Sequence, residues 1–152
     1  MASHDNIEAR IGSIADVSVS DTFSRLKTDS KAVLVDVRTR AEWAFVGLPD
    51  LSTLSKKPIL AEWQTFPDNR EDPQFGERLA TALDEAGVEK TTSVFFICRS
   101  GSRSKRAAEA MTAAGFEHCL NVADGFEGPL DGDRHRGRSG GWKAAGLPWV
   151  QG

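Results

Sequence analysis

One segment constrains the fold of this chain more than any other: an apolar strand that runs into a polar loop and then into a helix. Residues 92–97 are β-branched and aromatic, which is typical of a central strand buried on both faces. A helix is predicted over residues 102–114, with Gly115 as its terminator. The loop between them begins with Cys98, so the pattern predicts a thiol at the carboxyl end of a central strand, the edge where ligands bind in such sheets.

Strands and helices alternate along the rest of the chain. Residues 32–37 predict another buried strand, and residues 117–122 predict the last strand of the sheet. Between them, Asp72-Pro73 predicts the start of a helix that ends at Gly87. This alternation predicts an α/β fold with a parallel sheet and right-handed crossovers.

Weaker patterns describe the connections. Val17 and Val19 predict a short strand, followed by a helix that Ser20 caps. Residues 59–63 predict a further strand. Residues 125–141 are rich in Gly, Asp and Arg and predict a long surface loop, after which the chain packs back onto the body of the domain.

The bulk properties favour one domain. A chain of 152 residues is long enough for one core and short for two. Its hydrophobic fraction of 39% and charged fraction of 27% are typical of a globular protein rather than a disordered one. We expect residues 1–12 to form a mobile N-terminal segment and residues 13–152 to form a single domain, monomeric in solution.

Charge and apolar patterning argue against several classes of function. A net charge of −3 with interleaved signs gives no broad basic field, so nucleic acid is not an expected partner. No segment predicts a membrane span or an export signal. The two cysteines, Cys98 and Cys119, do not form a disulfide framework, which favours a cytoplasmic location. The three histidines lie far apart, so we expect no metal site, and no cofactor is expected.

The loop that begins at Cys98 carries the chemistry. Backbone amides of its small residues can converge on one anion, and the helix amino end together with Arg99 and Arg103 favours the thiolate. A cysteine that only fills space needs no such polar surroundings, and Cys119, within an apolar strand, fits that simpler role. We predict Cys98 as the catalytic nucleophile. The predicted substrate-binding residues are Arg99, Ser100, Gly101, Ser102, Arg103 and Ser104.

Separate motifs in this chain resemble those of the rhodanese family, in the family's order. The matching stretches are the loop from Cys98 to Ser104, Asp36-Val37-Arg38 followed by Glu42, Asn121 to Phe126, and Gly146 to Trp149. In the family, the nucleophilic cysteine opens a six-residue loop that runs into a helix. The resemblance implies a rhodanese-like fold, with a five-stranded parallel sheet and helices on both faces.

The resemblance also implies a sulfurtransferase activity. Cys98 would take sulfane sulfur from a small anionic donor such as thiosulfate, and the resulting persulfide would pass it to a thiol or a protein acceptor. Asp36, Arg38 and Glu42 are predicted to support the site. We expect Arg38 and Glu42 to pair at helical spacing, either as a surface ion pair of little energetic value or in contact with substrate.

Two other functions remain open at this stage. One is a rhodanese-like protein-binding or sulfur-relay module without free thiosulfate turnover. The other is a cysteine phosphatase or arsenate reductase of related fold, whose loop is typically one residue longer than the four residues between Cys98 and Arg103. The chain also departs from the family pattern at residues 47–50 and at Asp124. Within the extra segment 128–140, three basic residues either recruit an anionic donor or belong to a solvated loop: Arg134, His135 and Arg136.

Overall fold

The structure is a computed structural model that describes residues 14–65, 70–71 and 73–151. The predicted mobile segment, residues 1–12, lies outside the described residues, as does Asp72 of the predicted helix start. The elements in chain order are β1 (Ala15–Val17), α1 (Val19–Thr28), β2 (Val33–Asp36), α2 (Arg40–Phe45), β3 (Leu48–Pro49), a 3-10 turn (Ser52–Leu54), β4 (Ile59–Leu60), β5 (Gln64–Thr65), β6 (Arg70–Glu71), α3 (Phe75–Glu85), β7 (Ser93–Ile97), α4 (Ser102–Ala113), β8 (His118–Val122), α5 (Gly141–Ala144) and β9 (Trp149–Val150).

The main sheet has five parallel strands in the order β1-β8-β7-β2-β4. The side chains of β7 alternate between two apolar layers, with Val94 and Phe96 on one face and Phe95 and Ile97 on the other. All four are fully buried, which explains why the strand is one continuous apolar run. The predicted α/β class and five-stranded parallel sheet are confirmed.

Helices cover both faces of this sheet. The layer of Val94 and Phe96 packs against α3 and α4 through apolar residues such as Leu79 and Met111. The opposite layer packs against α1 and α5 and includes Trp142, which is fully buried. A central strand between two such layers has its carboxyl end held rigidly, and Cys98 follows directly after it.

The start of α1 corrects one prediction. Ser18, in an extended conformation, accepts a hydrogen bond on Oγ from the Asp21 amide (3.0 Å) and caps the helix. The predicted cap, Ser20, therefore lies inside the helix. Val19 is the first helical residue rather than part of the strand, and its side chain is buried in the core.

The predicted strand over residues 59–63 is shorter than expected, because only Ile59 and Leu60 pair with β2 in regular register. The chain then stays close to the end of β2: the amide of Ala61 donates to Asp36 O (2.9 Å) and that of Trp63 to Val37 O (3.2 Å). Burial of Trp63 against Phe75 of α3, with ring centroids 4.5 Å apart, draws the chain out of the sheet.

The segment 125–141 is an extended loop with a closed neck. Trp142 N–H donates to Gly125 O (2.9 Å), and Gly137 N–H donates to Glu127 O (2.6 Å). Beyond the loop, β9 pairs antiparallel with β3, and Trp142 Nε1 donates to Pro148 O (2.7 Å). The predicted return of the chain onto the domain is confirmed. Within the described residues, no helix is long and apolar enough to cross a membrane.

Candidate active site

Cys98 lies directly after β7 and begins the loop that leads into α4. Gly101 N–H donates to Cys98 Sγ (3.1 Å), and Ser104 Oγ lies 3.2 Å from the same sulfur. Gly101 immediately precedes α4 and has φ of +108°, a conformation that favours glycine. The thiol is buried, with only 1% of the residue exposed. The loop therefore turns back over the sulfur and directs polar groups onto it.

Ser104 belongs to a chain of hydrogen bonds that the sequence alone did not reveal. Its Oγ lies 2.5 Å from Asn121 Oδ1, and Asn121 Nδ2 donates to Asp16 Oδ1 (2.9 Å). Asp16 thereby fixes which end of the Asn121 amide faces Ser104. With its proton toward Asn121, the hydroxyl accepts from a protonated Cys98; rotated toward the sulfur, it donates to a thiolate. One side chain can thus serve both the thiol and the thiolate of Cys98.

The segment after β8 holds the first two loop residues in place. Phe126 N–H donates to Cys98 O (2.8 Å), while Glu127 N–H and Gly128 N–H both donate to Arg99 O (3.0 and 3.1 Å). In a trans peptide the carbonyl and the following amide point in opposite directions. The amides that follow these two carbonyls are therefore turned away from the 126–128 segment, free to face a ligand.

Glu42 and Arg103 form a two-point ion pair at the rim of the loop, with Nη1–Oε1 and Nη2–Oε2 distances of 2.8 and 3.0 Å. Thr39 caps α2 and receives a hydrogen bond from Glu42 N–H while the Glu42 carboxylate accepts from Thr39 N–H. Burial raises the pKa of Glu42, but the hydrogen bond and charge of Arg103 outweigh it and leave the pKa lowered. The pKa of Arg103 is raised: burial lowers it, and Glu42 more than compensates.

The expected pair of Arg38 and Glu42 is wrong. Arg38 instead binds Asp36, with Nη2–Oδ2 at 2.8 Å and Nε–Oδ1 at 3.0 Å, and both side chains are fully buried. Arg38 precedes α2, so helical spacing does not bring it beside Glu42. Its Nη2 also donates to Gly47 O (2.7 Å), and its guanidinium lies 4.3 Å from the centre of the Phe126 ring. This pair is neither on the surface nor open to substrate; it joins three segments that surround the Cys98 loop.

The structure brings part of the predicted substrate-binding set together around the sulfur. Gly101 and Ser104 contact Cys98, and Arg103 lies at the loop rim in its ion pair with Glu42. Arg99 and Ser102 are exposed and Ser100 is half-buried, without a contact to the sulfur within the described residues.

A cleft of about 930 Å³ opens beside this loop. It is bounded by Arg99 and Arg103 of the loop and by residues of α2 and of the 125–141 segment. The lining residues are Thr39, Ala41, Glu42, Phe45, Val46, Arg99, Arg103, Glu127, Leu130, Arg134 and Arg136. Arg134 and Arg136 thus lie close to the candidate nucleophile loop, although they come more than 30 residues later in the chain.

Cys119 lies inside a strand, without the loop and helix start that surround Cys98. Like Cys98 it is buried. Its Sγ donates a weak hydrogen bond to Phe116 O (3.8 Å), and burial raises its pKa to about 11 despite a hydrogen bond with the Thr112 side chain. A thiol in this state is protonated at neutral pH and reacts slowly. Its predicted role as a core residue agrees with its place in the apolar layer under α4.

Comparison with known proteins assigns the family. The family profile described as the STR4 middle domain matches residues 15–152. An uncharacterised protein of Rickettsia conorii is 34% identical over 137 residues, 90% of this chain and 98% of that protein. The chloroplastic rhodanese-like domain-containing protein 4 of Arabidopsis thaliana is 26% identical over 134 residues, 88% of this chain and 25% of that protein. The crystal structure of Rv0390 from M. tuberculosis has a TM-score of 0.80 and 46% identity, covering 91% of this chain and 98% of that one. The chain therefore belongs to the STR4 middle domain family, one of the rhodanese-like families.

Proposed function

We propose that this chain is a sulfurtransferase that moves sulfane sulfur from an anionic donor such as thiosulfate to a nucleophilic acceptor through a persulfide on Cys98. The observation that carries the proposal is the loop geometry, in which Gly101 N–H and Ser104 Oγ both lie within hydrogen-bonding distance of Cys98 Sγ. A backbone amide directed at the sulfur, with a hydroxyl that can rotate its proton toward it, stabilises negative charge there.

The reaction has two balanced steps. In the first, the Cys98 thiolate attacks the outer sulfur of thiosulfate; a new S–S bond forms, the S–S bond of thiosulfate breaks, and sulfite leaves with the electron pair. In the second, an acceptor thiolate attacks the outer sulfur of the persulfide, and Cys98 leaves as a thiolate. The two steps predict ping-pong kinetics.

Arg103 is held at the loop rim by Glu42. The Glu42 carboxylate occupies both of its terminal nitrogens, so the guanidinium is held at the loop rim in one orientation. A phosphatase needs a guanidinium free to bind two oxygens of a phosphoryl group. This arrangement, together with the four residues between Cys98 and Arg103, favours sulfur transfer over phosphoryl transfer.

A protein-binding module without chemistry would not need the donors around Cys98. A space-filling cysteine packs well in an apolar layer, as Cys119 does in β8, and does not require a loop amide directed at its sulfur. The polar surroundings of Cys98 therefore support a chemical role.

The test is to incubate the purified chain with thiosulfate and to measure intact mass. We expect one added sulfur atom, removed again by a small thiol, in the wild type and in Cys119→Ser. Cys98→Ser should gain none. No added sulfur in the wild type, or equal loading of Cys98→Ser, would show the proposal to be wrong, and so would efficient hydrolysis of a phosphomonoester by the same preparation.

A further inference from the structure

The cleft beside the Cys98 loop is larger than a small inorganic anion requires. At about 930 Å³ it is at the upper end of the range for pockets that hold whole organic ligands. It extends from Arg99 and Arg103 of the nucleophile loop to Arg134 and Arg136 of the 125–141 segment. A ligand that fills it contacts the Cys98 loop at one end and that segment at the other.

The cleft carries a positive charge in a chain whose net charge is −3. Glu42 neutralises Arg103. Arg136 donates to the uncharged carbonyl of Gly128 (2.8 Å), so its charge is not cancelled. In the part of the chain that the structure describes, Arg99 and Arg134 have no ion-pair partner.

Glu127 is the second carboxylate of the lining and lowers the positive charge of the cleft by one. It attracts Lys143, which itself lies 3.9 Å from the centre of the Trp149 ring, outside the cleft lining. The lining holds four arginines and two glutamates, so its net charge is +2 and it attracts a bound anion.

Two exposed apolar side chains line the same cleft. Phe45 at the end of α2 is 79% exposed and Leu130 of the long loop is 52% exposed. Exposed aromatic residues beside arginines are typical of the centre of a protein-binding surface. A small anion leaves these two side chains in water, whereas a peptide with an apolar residue covers them.

We propose that this cleft binds an acidic segment of an acceptor protein, which presents its cysteine thiol to the Cys98 persulfide. Its carboxylates would face Arg99, Arg134 and Arg136, and an apolar side chain would pack on Phe45 and Leu130. The inference rests on the proposed function. In the transfer, the acceptor thiolate forms an S–S bond to the outer sulfur, the bond to Cys98 breaks, and Cys98 leaves as a thiolate.

The binding arm of the test uses this chain with Cys98→Ser, so that it does not depend on sulfur loading. The probe is a fluorescent synthetic peptide with Glu residues and one Leu around a cysteine, and its matched control carries Lys in place of Glu. We expect the acidic peptide to bind, with affinity that falls as salt rises, and the Lys peptide not to bind. Equal binding of the two peptides would overturn the inference. Tighter binding of a single-stranded RNA of similar charge would also overturn it, because the cleft would then select polyanions rather than a protein segment.

Substitutions on the long loop provide matched controls. Arg134→Glu should weaken binding of the acidic peptide about tenfold, because it reverses an unpaired charge in the cleft. Arg138→Glu reverses a charge on the same loop, but Arg138 lies outside the cleft lining, near Asp131 (3.9 Å), and should leave binding unchanged. If both substitutions weaken binding equally, the effect is one of overall charge and the inference is wrong.

The transfer arm uses wild-type chain loaded with sulfur from thiosulfate. Sulfur should move to the acidic peptide faster than to the Lys peptide, and Arg134→Glu should remove this difference. If Cys98 loads no sulfur, the proposed function fails, while the binding arm still reports on the cleft. If loading is normal and the two peptides react at the same rate, only this inference fails.

Discussion

Replacing Gly125 with alanine tests whether the segment after β8 keeps the Cys98 loop in shape. Gly125 has φ of +63°, and an added Cβ would collide with Cys98 O and lie 2.7 Å from the carbonyl carbon and oxygen of Arg99. Both are backbone atoms of the loop and cannot move aside as a flexible side chain does. Alanine in the left-handed region costs about 1–2 kcal/mol, and overpacking of this kind costs about 1–3 kcal/mol more. We expect a loss of about 2–5 kcal/mol in the free energy of unfolding.

Gly87→Ala is the matched control. Gly87 has φ of +78°, and an added Cβ there meets nothing within 4 Å. Gly87→Ala should therefore incur only the cost of the left-handed backbone, about 1–2 kcal/mol. Gly87 precedes β7, at the edge of the sheet opposite Cys98. The difference between the two variants isolates the collision with the loop.

The assays are urea denaturation of both variants and sulfur loading from thiosulfate followed by intact mass. Gly125→Ala should unfold at lower urea with an unchanged slope, and it should load sulfur more slowly than Gly87→Ala. Unfolding free energies that agree to within about 0.5 kcal/mol, with equal loading rates, would refute the reasoning that the segment supports the nucleophile loop.

Three further predictions concern buried or partly buried ionisable groups. Arg38→Met should lower the free energy of unfolding by about 3–5 kcal/mol in urea denaturation, because it leaves the Asp36 carboxylate buried without its partner. A decrease of less than about 1 kcal/mol would contradict this. Arg103 holds the pKa of Glu42 below its ordinary value of 4.5. The wild type should therefore have a higher free energy of unfolding than Glu42→Gln above pH 4.5, and this difference should vanish as the pH falls through the lowered pKa. Urea titrations at several pH values measure it. An unchanged difference in strong acid would refute it. Burial raises the pKa of Cys119 to about 11, so iodoacetamide at neutral pH should leave it unmodified in the folded chain and label it in urea, as peptide masses will show.

The parts of the fold predictable from sequence are those in which burial on both faces leaves an uninterrupted apolar run. Residues 94–97 form such a run, residues 32–37 are interrupted only by Asp36, and both ranges contribute central strands. The loop after β7 was predictable because a cysteine, small residues and a helix follow one of them directly. Here the local sequence and the tertiary environment agree.

The partners of the polar side chains were not predictable, because pairing depends on contacts distant in sequence. Arg103 reaches Glu42 across 61 residues, and Ser104 reaches Asn121 across 17. The second contact exists only because β8 lies beside β7 in the sheet. Spacing within one segment, on which the Arg38 and Glu42 prediction relied, carries no information about either.

The closed neck of the 125–141 loop separates sequence changes within that loop from changes to the support of the Cys98 loop. Gly128 and Gly140 approach so closely that a side chain on Gly128 would strike the backbone of the other, and the chain enters and leaves the loop at nearly one point. Insertions, deletions or substitutions between them should not displace the strand that precedes Cys98. We therefore expect insertions and deletions between these two glycines to leave the Cys98 loop unchanged.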